Sequence, residues 1–212
     1  MTLHSFSQTL TTEVPQYWFG AVDDSTALSM QHEAVQRWNA KSPAVDEFIR
    51  TQFLSIYRDL RGEAERGWAP ASLAERVGAV LVLDQFPRHI YRDQVGMYGS
   101  DSLAIRLTVD GLNTPEHKTL PMVRRMFLYM PLMHSERVDD QRRCVQLFDE
   151  MREDVKTRSP QNVQFFEMSY HYARRHLEIV ERFGRFPHRN EILGRPTTEA
   201  EAAFLKEPNS SF

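Results

Sequence analysis

The chain has 212 residues, 26 basic and 29 acidic side chains, and a formal net charge of −3. That length is ample for a real hydrophobic core, and the near-neutral balance excludes the broad basic field of a general nucleic-acid or membrane-surface binder. Lys41, Lys118, Lys156 and Lys206 are the only lysines, so 22 of the basic residues are arginine. Arginine pairs bidentately with carboxylates and phosphates, although a GC-rich genome writing Arg for Lys on solvated faces produces the same count.

From the start, Met1-Thr2-Leu3-His4-Ser5-Phe6 lacks the basic residues and apolar run of a signal peptide. No stretch approaches the roughly 18 uninterrupted apolar residues of a membrane span. The expectation is a soluble, cytoplasmic chain. Tyr17-Trp18-Phe19-Gly20 and Trp68-Ala69-Pro70 read as aromatic corners, and a helix is expected near 24–40. Over 44–66, Val45, Phe48, Ile49, Phe53, Ile56, Tyr57 and Leu60 recur at three- and four-residue steps. That spacing predicts a helix entered after Ser42-Pro43 and left at Gly67. Ser72 stands three residues before Glu75, a capping-box spacing, and the helix it opens is apolar on nearly every side from 79 to 83. Such a helix belongs at the centre. A break is expected at Phe86-Pro87, because proline disfavours helical geometry in the residue before it.

Further helices are expected near 101–111, 117–129, 136–156 and 161–183. The one cysteine, Cys144, excludes a disulfide framework and a multi-cysteine zinc site; its helical spacing with Phe148, Met151 and Val155 makes it a core residue. The last long helix carries the stripe Val163, Phe166, Tyr170, Ala173, Leu177, Val180 and stops at Gly184, a left-handed cap. A second break at Phe186-Pro187 and a short helix from Thr198 to Leu205 follow. No alternating strand pattern or hairpin dipeptide occurs. The predicted fold class is all-α, in a single domain over 1–212.

Polar chemistry concentrates at three joints. In the first, from Leu83 to Arg92, Asp84 falls near a helix C-terminus, where the macrodipole disfavours an acid by about 0.3–1 kcal/mol. A cationic partner, Arg88 or Arg92, is expected. In the second, from Tyr129 to Glu136, Ser135 can cap a helix beginning at Glu136, which leaves His134 just before a helix N-terminus. A zinc-deaminase reading of His-x-Glu fails for want of Pro-Cys-x-x-Cys. The third joint, residues 182–195, holds four arginines, His188 and Asn190 against the single acid Glu191. Pro187 suits a short helix whose free amides face an anion, and Arg185, Arg189 and Arg195 can clamp a carboxylate or phosphate. The competing reading is an arginine network bridging helices through Asp84 and Glu136. His171 and His176, five apart, do not share a helical face, although His176 can reach the neighbouring corner.

Taken together, Trp18-Phe19-Gly20, Asp84-Gln85-Phe86-Pro87-Arg88, Pro131-Leu132-Met133-His134-Ser135-Glu136 and Phe183-Gly184-Arg185-Phe186-Pro187-His188-Arg189-Asn190 through Leu193-Gly194-Arg195 resemble the bacterial domain-of-unknown-function family nine-hundred-twenty-four. The resemblance runs over about residues 17–206. It implies helix hairpins stacked into a compact, curved array similar to tetratricopeptide-repeat proteins. It carries a fold and motif positions, not a reaction. His89 and Arg137 depart from the family's pattern, which reads Pro-Arg-Asn at the first and tends toward an acid at the second.

The resulting expectation is a ligand-binding helical protein. Asp84, Arg88, His134, Glu136, Arg185, His188, Arg189 and Asn190 converge on one pocket for a small anionic molecule or a peptide carboxylate. An enzyme using the same pocket stays open, with His134 or His188 as acid–base and Asp84 or Glu136 orienting it, without a nucleophile motif in support. A third reading is a scaffold that grips a partner protein, or a homodimer. Neither cofactor nor metal is expected. Glycine-rich, P-loop, nucleophile-elbow and His-Glu-x-x-His motifs are absent, and His134, Glu136 and His188 lack ligand spacing.

Overall fold

A computed structural model describes residues 3–208, 210 and 211. Met1 and Thr2, which open the N-terminal stretch considered above, lie outside the described residues. Among the described residues every regular element is helical. Helix α1 (Leu3–Gln8) passes through a widened π-turn (Thr9–Glu13) into α2 (Val14–Phe19). Helices α3 (Glu33–Trp38), α4 (Pro43–Glu65) and α5 (Leu73–Val80) follow, and α5 runs through a second π-turn (Leu81–Gln85) into α6 (Phe86–Ile90). The remainder is α7 (Asp101–Gly111), α8 (Met122–His134), α9 (Val138–Arg158), α10 (Val163–Phe183) and α11 (Glu199–Phe204). Among the described residues no helix is long and apolar enough to cross a membrane.

Local chemistry explains most of the boundaries. Ser72 Oγ accepts the Glu75 amide at 3.1 Å, while Glu75 reaches back to the Ala71 amide at 2.5 Å. Thr198 and Glu201 form a full capping box on α11. Each such cap contributes about 1 kcal/mol. Helix α10 ends where Gly184 turns left-handed at φ 67°. The centre is indeed α5 with its π-turn, since Val77, Ala79, Val80, Leu81, Val82 and Leu83 are all buried. Trp18, at the end of α2, packs edge-on against Phe127 with ring centroids 5.6 Å apart, and its ring lies 5.7 Å from that of Phe86. A second, smaller cluster of Ile179, Val180, Phe186 and Phe204 ties α10 to α11.

Four expectations need correction. Over 24–40 only Glu33–Trp38 is helical. The preceding residues are held as loop by side chains that take their backbone groups: Asp23 accepts the Ser25 amide at 2.8 Å, and Asn162 binds both Leu28 N–H and the Thr26 carbonyl at 2.7 Å. The helix expected at 117–129 is instead Met122–His134, because Pro121 restarts the chain and Asp24 accepts the Met122 amide at 2.5 Å. The next helix starts at Val138, not Glu136; Ser135 takes the Arg137 amide at 3.2 Å and donates to Asp140 at 2.6 Å.

The fourth correction matters most. Phe86-Pro87 is not a break, since Phe86 stays helical at φ −62°, ψ −37°. In the π-turn the Phe86 amide bonds back to the Leu81 carbonyl, which opens room for the proline ring. The Leu83 carbonyl, which Pro87 has no N–H to satisfy, accepts the Ser100 hydroxyl at 2.6 Å. Asp84 therefore sits within a continuing helix, not at a helix C-terminus. Phe186-Pro187 does break the chain, with Phe186 extended at φ −91°, ψ 107°.

Candidate functional site

Asp84 is fully buried on the second π-turn. Its Oδ1 accepts from His134 Nδ1 at 2.7 Å and its Oδ2 from Gln85 Nε2 at 2.5 Å. Arg88 donates to the Asp84 carbonyl and sits 3.6 Å from the carboxylate. Burial alone would raise the Asp84 carboxyl, but His134, Arg88 and the hydrogen bond from Gln85 hold it down at about 2. Burial, helped by Arg88, lowers the His134 pKa in spite of Asp84. A neutral ring follows, with its proton on Nδ1 facing Asp84 and its lone pair on Nε2.

Asp101, the first residue of α7, ties two arginines together. It accepts from Arg88 at 3.0 and 3.3 Å and from Arg189 at 3.4 Å. Arg189 also donates to the His134 carbonyl at 3.0 Å, and its guanidinium lies 4.5 Å from the centre of the Tyr98 ring. On the other flank, Asp46 of α4 accepts from Arg92 at 2.5 and 2.6 Å and contacts His89 Nδ1 at 2.8 Å. Arg92 thus pairs with Asp46, leaving Arg88 as the arginine of Asp84.

These groups surround a cavity of about 230 Å³. Lys41, Arg88, Arg92 and Arg189 line it together with His89, His134, His176 and His188, and among the described residues no Asp or Glu lines it. Burial, then the charge of Arg189, brings His188 down to about 4; burial brings His176 down to about 3. A second cavity of about 490 Å³ shares Trp38, Asn39, Lys41, Gln85, His134 and His176 with the first. Its other walls are mainly apolar, among them Phe127, Phe148, Phe165 and five methionines.

Of the residues expected at the site, Arg88, His134, His188 and Arg189 line the smaller cavity, with Asp84 behind His134. Glu136, Arg185 and Asn190 line neither. Glu136 is taken by Arg195 at 2.7 and 3.0 Å and by the Phe186 amide at 2.8 Å. Arg185 is forked onto Glu201 at 2.6 and 2.8 Å, and Asn190 donates to Thr197 at 3.3 Å. The expected arginine clamp at 185 and 195 therefore closes on carboxylates of this same chain. In its place the fold brings in Lys41, Tyr98 and Asp101. None of these carried a local signal: Asp101 reads only as an acid in a helix's first turn, and Lys41 as a lone surface charge.

No curated protein matches the chain. Among solved structures, a protein of unknown function from Agrobacterium tumefaciens, ATU0120, is similar to it, with 28% identity and a TM-score of 0.70 over 94% of this chain and 98% of that one. Residues 14–209 match the family described as bacterial protein of unknown function (DUF924), and the chain belongs to that family.

Proposed function

We propose that the cavity between α3, α6 and α8 binds a small molecule through an anionic group, a carboxylate or a phosphate. The observation that carries this reading is the wall itself: four cations and four histidines, with no acid among the described residues that line it. Asp46, Asp84 and Asp101 hold the three arginines from behind. Lys41 has no ion pair among the described residues, so its charge is available to a ligand. Preorganised guanidinium groups in a partly dry cleft attract an anion more strongly than solvated ones. Helices α9 and α10 pack along their lengths across a short turn, which supports tetratricopeptide-like hairpins that leave a recess for a ligand.

Thermal unfolding with inorganic phosphate, acetate and benzoate, each against chloride at matched ionic strength, tests this. A ligand present at a hundred times its Kd adds about 2.7 kcal/mol, roughly 5–10 °C in a chain of this size. Lys41→Glu should abolish the shift without lowering the ligand-free Tm, because Lys41 is exposed. No shift with any of the three anions would sink the reading.

The Asp84–His134 pair favours a second reading, an enzyme in which His134 Nε2 takes a proton from the bound anion's neighbour group while Asp84 fixes the ring. His134→Gln would then lose turnover and keep anion binding. Equal loss of both would count against catalysis.

A further inference from the structure

The two cavities meet at a common wall, and their chemistry differs sharply across it. On one side are the cations and histidines; on the other, Met30, Met126, Met130, Met133 and Met168 supply five of the chain's nine methionines. Methionine is flexible and polarizable, suited to chains of variable shape. Five large apolar side chains are exposed among the described residues: Met30, Phe48, Val95, Met168 and Tyr172. Three of them, Met30, Met168 and Tyr172, at 56, 41 and 59% exposure, line this one cavity. Apolar surface gathered at a cavity marks a ligand or interaction site. Among the described residues, no Asp or Glu lines either cavity.

From this juxtaposition we infer that the ligand is an amphiphilic anion, a hydrophobic carboxylate whose head sits at Lys41 and His134 and whose apolar chain lies among the methionines. The inference rests on the anion-binding reading and narrows it to a substrate class. Lys41 and His134 belong to both walls, so the head and the first carbons of the chain occupy the shared boundary. Arg88 and Arg189 add positive charge on the polar side alone.

Trp38 lines both cavities, so its fluorescence, calibrated by calorimetry, reports occupancy. The probes are inorganic phosphate, acetate, hexanoate and decanoate, with decanol as the uncharged control. Each added methylene should tighten binding roughly fourfold while the chain is being buried, and decanol should bind far more weakly than decanoate. Met168→Glu, at an exposed position, should flatten the chain-length series and leave phosphate and acetate unchanged. Lys41→Glu should weaken every acid. If phosphate and acetate bind but the series is flat, the amphiphile inference falls and the anion reading stands. If decanol binds as tightly as decanoate, or no acid binds, both fall.

Discussion

The carboxylate of Asp84 accepts a hydrogen bond from His134 Nδ1 at 2.7 Å, joining the π-turn after α5 to the last residue of α8 across 50 positions of chain. The π-turn makes the meeting possible. One extra residue in a helical turn shifts the following side chains by roughly 100°, and the shift comes where Pro87 would otherwise crowd the Leu83 carbonyl. His134→Ala should cost about 2–3 kcal/mol, because the fully buried carboxylate loses its ring donor and keeps only Gln85 and Arg88. Asp84→Asn and His134→Gln, measured singly and together by urea unfolding, should couple by about 0.5–3 kcal/mol. Strict additivity would mean the pair contributes nothing as a pair.

Acid should destabilise the fold well above the carboxylate range. Burial holds His176 at about 3, and burial with the charge of Arg189 holds His188 at about 4. The unfolded chain protonates its histidines near 6.5. Both native values are depressed, so this stabilisation is complete above pH 6.5 and is lost as pH falls toward the native values. Each ring should account for about 2 kcal/mol by pH 5. Urea midpoints measured from about pH 7.5 to 5 should fall steeply, and His176→Phe and His188→Phe should each flatten the slope. An unchanged slope in both variants would show that the two rings titrate normally.

The helices were legible because their stripes are local. Residues 44–66 and 161–183 carry apolar stripes closed by Gly67 and Gly184, and α4 and α10 follow them within two residues. What escaped was decided at a distance. Phe86-Pro87 and Phe186-Pro187 look alike, yet the first stays helical because a π-turn makes room and Ser100 satisfies the Leu83 carbonyl. Residues 24–32 read as helix and are loop because Asn162, far along the chain, takes their backbone groups. At the cavity the same logic applies. The joints around Asp84 and His134 stood out by composition, whereas Lys41 and Asp101 join them only through tertiary packing. Arg185 and Arg195 stood out equally and are held by Glu201 and Glu136.

Cys144 offers a direct test of core integrity. It is fully buried on α9, and burial pushes its thiol far above the usual cysteine range. A protonated, enclosed thiol is a poor nucleophile. Native protein should resist iodoacetamide over hours and react completely in urea, with labelling that follows the unfolding transition. Rapid labelling of the native chain would contradict the packing of α9 described above.

Two glycine-to-alanine substitutions should have opposite signs. Gly78 lies inside α5, where glycine costs about 0.5–1 kcal/mol relative to alanine. It is accommodated because the backbone of the first π-turn passes against it: a Cβ at 78 would sit 1.8 Å from the Leu10 carbonyl oxygen. That atom belongs to backbone and cannot swing aside, so Gly78→Ala must move one helix off another. The expected loss is about 3 kcal/mol or more, beyond ordinary overpacking. Gly62, in the last turns of α4, meets only the Arg66 guanidinium at 3.6 Å, so Gly62→Ala should gain about 0.5–1 kcal/mol. Urea unfolding of the two variants side by side decides it, since a general preference for alanine in helices would raise both midpoints. Only the close approach of Leu10 to α5 separates them.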